Sequence, residues 1–121
     1  MNLLRMIDTI KKHPHYHRAG MILCHNGIVR GTSRSGRKVS GLTISVDYNN
    51  LRHVIETYKQ KPGIIEILVE IADNRHLTVG DDIMFLVVAG DIRENVISVL
   101  NNTLNAIKIS VTSKTEYFMP I

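Results

Sequence analysis

GMILCHNGIVRGTSRSGRKVSGLTISV, residues 20–46, is the stretch on which the reading of the fold turns. Residues 20–30 are apolar and β-branched enough for a strand, and Val39, Leu42, Ile44 and Val46 mark a second run that reads as its return partner. Between the two lie Arg30, Arg34, Arg37 and Lys38, with Gly31 and Gly36 and no carboxylate, so the connection predicts a hairpin loop loaded with cations. The positive field extends further. No acidic residue lies between Asp8 and Asp47, an interval that also holds Lys11, Lys12, Arg18, His13, His15 and His17. Such a block attracts an anionic ligand, an acidic protein surface or a nucleic-acid backbone.

Outward from this stretch, helices and strands alternate. Leu3, Met6, Ile7 and Ile10 repeat at helical spacing, with Asn2 as a cap and Pro14 as the stop. Asn49 or Asn50 caps a second helix whose Leu51, Val54, Ile55 and Tyr58 share one face, and Pro62-Gly63 ends it. IIEILVEIA (64–72) reads as a long strand, DNRHLTVGDD (73–82) as a turn-rich excursion, and IMFLVVAG (83–90) as a central strand apolar on both faces. Asp91 as cap and Glu94 as capping-box partner open a last helix, with Ile92, Val96, Val99, Leu100, Leu104 and Ile107 as its buried stripe and Lys108 beside the end. The order helix, strand, strand, helix, strand, strand, helix, short tail predicts an α+β sandwich with a mainly antiparallel sheet.

Composition narrows the classes. A chain of 121 residues with 44% apolar content is expected to form a single domain over 1–121. There is no apolar run long enough for a membrane span, and MNLLRMIDTIKKH is charged and helical rather than a cleavable leader, which predicts a cytoplasmic protein. The single cysteine, Cys24, has no internal disulfide partner and is expected to be a buried small hydrophobe. His13, His15 and His17 alternate, but no matching Cys or His pair follows, so no metal is expected. Net charge is +4, yet four Tyr, two Phe and no Trp provide no aromatic cluster for stacking on bases, which disfavours a nucleic-acid-binding module.

The residues GMILCHNGIVRGTSRSGRKVSGL resemble the signature of the molybdopterin synthase large subunit: a strand ending in G-x-V-R, a polar glycine-containing loop, then a strand beginning V-x-G/A-L. The resemblance continues through PGIIEILVEIADNRHLTVGDDIMFLVVAG, the helix from Asp91 to Lys108 and the tail SKTEYF, roughly residues 19–118. Order and spacing of these motifs, not any one of them, carry the weight.

This resemblance implies an α/β-hammerhead fold and a part in molybdenum cofactor biosynthesis. It further implies a homodimer within a heterotetramer, each large subunit binding a small ubiquitin-like sulfur carrier with a C-terminal Gly-Gly thiocarboxylate. Sulfur would pass from that tail to cyclic pyranopterin monophosphate, with no cofactor required. Matched position by position, Arg30 is the arginine of G-x-V-R and Arg93 the arginine opening the last helix. Lys108 and Lys114 match the two lysines read as catalytic, the second after a one-residue deletion, and His25 and Arg37 complete the substrate-binding candidates. Lys108 borders an apolar stripe, where partial burial would suit it to proton transfer or attack on a carbonyl. The chain departs from the pattern at Ile92, where the family has histidine, at Ser113, where it has tryptophan, and at His25, an aromatic position. The alternative is a non-catalytic paralogue that binds a pterin or an anionic protein partner.

Overall fold

The structure is a computed structural model that describes residues 1–120. Helix α1 spans Leu3–Lys11, and the Asn2 side chain accepts from the Arg5 N–H at its start. A short 3-10 helix, Tyr16–Arg18, leads into β1, Met21–Ile28. Then follow β2 (Val39–Val46), α2 (Tyr48–Lys59), β3 (Ile64–Ile71), β4 (His76–Thr78), β5 (Asp82–Gly90), α3 (Arg93–Ser110) and β6 (Thr112–Phe118). The strands form two antiparallel three-stranded sheets, ordered β1-β5-β3 and β4-β2-β6. The α+β class with antiparallel pairing is therefore as the sequence predicts.

β5 organises the first sheet because both its faces are apolar. Phe85, Val87 and Ala89 pack beneath α1 with Met6 and Ile10. Leu86 and Val88 turn the other way, toward Val96 and Val99 of α3. Burial of Leu86, Val87 and Val88 is complete, and each such side chain contributes on the order of 1.5–3 kcal/mol.

Long-range burial overrides the predicted hairpin. β1 and β2 do not pair: β1 joins β5, while β2 lies between β4 and β6. Pairing with β5 places Met21 and Leu23 in the α3 cluster, whereas Leu42 and Ile44 are buried with Val29, Ala72 and Leu77. One loop cannot satisfy both demands within one sheet, so residues 29–38 cross between sheets. A hairpin survives only at the tip, where Thr32 bridges Lys38 and the Ser33 N–H donates to the Arg37 carbonyl.

Other expectations shift at element ends. The tail SKTEYF is not a tail but most of β6, running along the whole length of β2. Asp47, rather than Asn49 or Asn50, caps α2 by accepting from the Asn50 N–H. Ile92 occupies the N-cap of α3 without a side-chain cap, while Asp91 accepts from the Ile92 N–H at 2.7 Å and the Asn95 amide at 2.9 Å. These bonds hold the Asp91 carboxyl below its usual range. Glu94 pairs with Arg93 instead of reaching back to the cap, and Ile92 lies outside the buried stripe, at 53% exposure. Gly63, at φ 78°, lets β3 begin directly against Asp91, where a side chain would collide with the carboxylate.

Cys24 is exposed, contrary to expectation, because it shares the α1 side of edge strand β1 with Ile22. Burial still pushes its thiol pKa up, which makes the thiolate scarce at neutral pH.

Thr103 sits fully buried in α3, and its hydroxyl has no hydrogen-bond partner. An unpaired buried hydroxyl costs about 1–3 kcal/mol, and valine has the same shape without it. Thr103→Val is therefore expected to raise the urea midpoint at unchanged m-value, by about 1 kcal/mol in stability. A lower midpoint would show that the hydroxyl is satisfied.

Candidate functional site

A cavity of about 250 Å³ opens at the seam between the two sheets. Its walls are Ile44 of β2, Ile71 of β3, Ile83 and Met84 of β5, and Ile107 of α3. Lys108, Lys114 and Thr112 supply its polar atoms. The lining is thus mostly aliphatic with two cations, a combination that favours a negative charge beside an apolar wall.

Each lysine arrives there by its own local rule. Lys108 lies in the last turn of α3, one residue past buried Ile107, where the helix dipole favours a cation. Lys114 comes from β6, opposite Ile44 in the β2–β6 register, so it points to the inner face of the second sheet with the cavity wall. Its ammonium stands 3.7 Å from Glu116, the next residue on that face. The tight turn at Val111 brings the two lysines together across the deletion. Lys108 is exposed, not partly buried as the stripe suggested.

Desolvation falls on His25 instead. β1 alternation puts His25 on the face that carries Met21 and Leu23 toward α3. Burial, and then the positive charge of Lys108, hold its pKa below 6.5, so the imidazole is neutral at pH 7.

The arginines are elsewhere. Arg30 follows Val29, which is buried among Ile44, Ile71 and Ile83, three of the cavity walls. Its guanidinium is exposed and spends one N–H on the Thr32 carbonyl at 2.9 Å. Arg37 lies over the Phe118 ring at 4.1 Å, tying the basic loop to the end of β6. Arg93 is at the opposite end of α3 from Lys108, roughly 22 Å away by helical rise. One chain therefore brings together Lys108 and Lys114 at the cavity, while His25, Arg37 and Arg93 do not line it.

A wider depression of about 440 Å³ beside Ser45, Asp47, Ser110 and Ser113 has hydroxyls and a carboxylate but no cation. It is unsuited to an anion. His13, His15 and His17 fall in a turn and the 3-10 helix, with ring centroids 5.7 and 6.2 Å apart. His13 accepts from the His15 N–H. Glu116 and Thr112 were not among the candidates from sequence; the Lys-x-Glu alternation points to Glu116 only once the tail is recognised as a strand.

The family model described as MoaE protein matches residues 3–110, and the chain belongs to that family. It is a biosynthetic enzyme component, the large subunit of molybdopterin synthase, acting in molybdenum cofactor biosynthesis. Solved structures agree in fold. A molybdopterin synthase from Staphylococcus aureus aligns at TM-score 0.73 and 19% identity, over 86% of this chain and 78% of that one. Molybdopterin cofactor biosynthesis protein E from Burkholderia multivorans aligns at TM-score 0.77 and 16% identity, over 100% and 84%. A complex of subunits 1 and 2 of molybdopterin-converting factor from Helicobacter pylori aligns at TM-score 0.72 and 15% identity, over 98% and 84%. No curated protein matches the chain in sequence. Among the described residues, no helix is long and apolar enough to cross a membrane.

The lowered pKa of His25 has a consequence for stability. The unfolded chain takes up a proton near pH 6.5, while the folded chain resists it until lower pH. Stability is therefore expected to fall as pH drops from 6.5 toward the folded pKa, and then to level off for this group. Urea unfolding of wild type and His25→Phe across this window checks it: the variant should lose less stability on acidification. Equal losses would remove His25 as the source.

Proposed function

We propose that this chain transfers sulfur from the thiocarboxylated Gly-Gly terminus of a small ubiquitin-like partner to cyclic pyranopterin monophosphate. The observation that carries the reading is the convergence of Lys108 and Lys114, from different elements, on one aliphatic cavity. A glycine tail has no side chains to obstruct a narrow site, and aliphatic walls strip water from the reacting sulfur. The two ammonium groups offset the charge of the thiocarboxylate. Either lysine, once deprotonated, can pass a proton, or can attack the carbonyl carbon so that its C–S bond breaks, the sulfur leaving to the pterin and the tail remaining as an amide on the lysine.

Arg30, exposed beside the cavity walls, is the candidate grip for the cyclic phosphate, with Arg37 further out on the loop. Arg93 lies too far along α3 to serve Lys108 of its own chain, so its role requires a second copy, consistent with a homodimer inside a heterotetramer. The Helicobacter pylori complex of two subunits supports a small partner. We place the protein in the cytoplasm and treat residues 1–121 as one domain. The chemistry calls for no metal: lysine side chains supply both charge and proton transfer.

A non-catalytic paralogue is the second reading, favoured by Ile92 and Ser113 at positions where the family has histidine and tryptophan. Both residues are exposed here and offer no equivalent ring.

Molybdopterin formation from a thiocarboxylated partner and cyclic pyranopterin monophosphate decides between them. Wild type is expected to turn over, and Lys108→Ala and Lys114→Ala each to lose about 100-fold or more in rate with the partner still bound. Arg30→Ala should raise KM for the pterin about tenfold. A wild-type chain that binds the partner but makes no product supports the paralogue.

A further inference from the structure

We propose that the Thr112 hydroxyl is a further tail-binding group of the seam cavity: it donates a hydrogen bond to the carbonyl oxygen of the thiocarboxylate and leaves the sulfur facing the pterin. The proposal rests on the reading of this cavity as the place where the glycine tail ends.

The pleat of β6 places the group. Thr112 pairs with Val46 and Lys114 with Ile44 in the β2–β6 register, so both side chains leave the same face of β6, toward the cavity they line. Ser113, between them, faces outward and is exposed. Of the three polar side chains at the cavity, Lys108 and Lys114 are exposed, whereas Thr112 is half-buried. A lysine ammonium swings on a long flexible stem, but a β-branched threonine is stiff at χ1. Thr112 is therefore the polar group that can fix the position of one atom.

Its hydroxyl is also uncommitted. The contact it makes is with the Ile107 carbonyl at 3.5 Å, beyond the roughly 2.5–3.0 Å of a good O–H···O bond. That carbonyl already accepts the Val111 N–H at 2.9 Å. A hydroxyl proton rotates to suit, so an acceptor entering the cavity competes with a long contact rather than a short one.

A hydroxyl donates well to oxygen and poorly to sulfur, which is a weak acceptor. The ammonium groups act as point charges and do not sort the two atoms in this way. Oxygen thus goes to Thr112, and sulfur stays free to transfer. When a nucleophile adds to the carbonyl carbon, the C=O electron pair moves onto that oxygen, and it returns as the C–S bond breaks. The same donor faces the oxygen through both steps.

Calorimetric titration with a small ubiquitin-like protein ending in a Gly-Gly carboxylate, and with the same protein lacking those glycines, tests the contact without turnover. Thr112→Val should weaken binding of the full-length form about tenfold and leave the shortened form unchanged, as for a lost hydrogen bond to a charged group. Thr112→Ser keeps the donor and should bind within about threefold of wild type. Equal weakening of both forms, or of neither, overturns the proposal.

In molybdopterin formation, Thr112→Val should lower kcat about 10- to 100-fold with KM for the pterin unchanged. A Thr112→Val chain that loses stability in urea yet binds and turns over like wild type assigns the hydroxyl to the Ile107 carbonyl, which also overturns the proposal. If Lys108→Ala and Lys114→Ala both retain full activity, the catalytic reading of the lysines fails instead, and the calorimetric comparison still decides Thr112.

Discussion

Everything in this structure depends on β5 being buried on both faces. A strand whose residues 84–90 are inaccessible needs cover above and below, and α1 and α3 are that cover. The constraint reaches further than packing. Because β5 must be central, β1 and β3 are drawn to its two edges, and the chain between β1 and β2 has to leave the sheet. The second sheet, and with it the seam that becomes the cavity, follows from that departure.

The seam also explains why so few polar groups define the site. Ile44, Ile71, Ile83, Met84 and Ile107 would form an ordinary core joint if the sheets closed on each other. They remain apart on one side, and two lysines stand where the next core residues would be. Neither lysine needs a special backbone: one is a helix-end cation and the other an inward-facing strand residue. The two cations are thus placed by ordinary elements around an aliphatic hollow.

Periodicity revealed most of the fold, and pairing was the part it hid. The three helices, the four long strands and the centrality of residues 83–90 follow from apolar spacing, since burial acts on single elements. Which strand pairs with which depends on competition between distant partners, and the basic loop looked like a hairpin because its local chemistry is that of one. β6 was missed for a related reason: Ser113, Lys114, Thr115 and Glu116 carry no apolar alternation, and only their contact with β2 makes them a strand. The site was legible unevenly. Lys108 and Lys114 were named through family likeness, and the cavity unites them; His25 was named as a binding residue, while its desolvation on the α3 side of β1 needed the structure. Glu116 and the aliphatic walls left no trace in sequence, because lining a hollow and filling a core use the same residue types.

The connectivity of the second sheet has a kinetic meaning. β2 is complete by Val46, yet one of its neighbours is made of residues 76–78 and the other of residues 112–118. The β2–β6 contacts, like those of β1 with β5, join residues far apart in sequence, so both close late relative to the local helices and the β3–β5 pairing. Until β6 is made and docks, Leu42 and Ile44 lack one of their two neighbouring strands. The hollow that holds Lys114 is therefore incomplete until β6 lies along β2, well after the basic loop has been made.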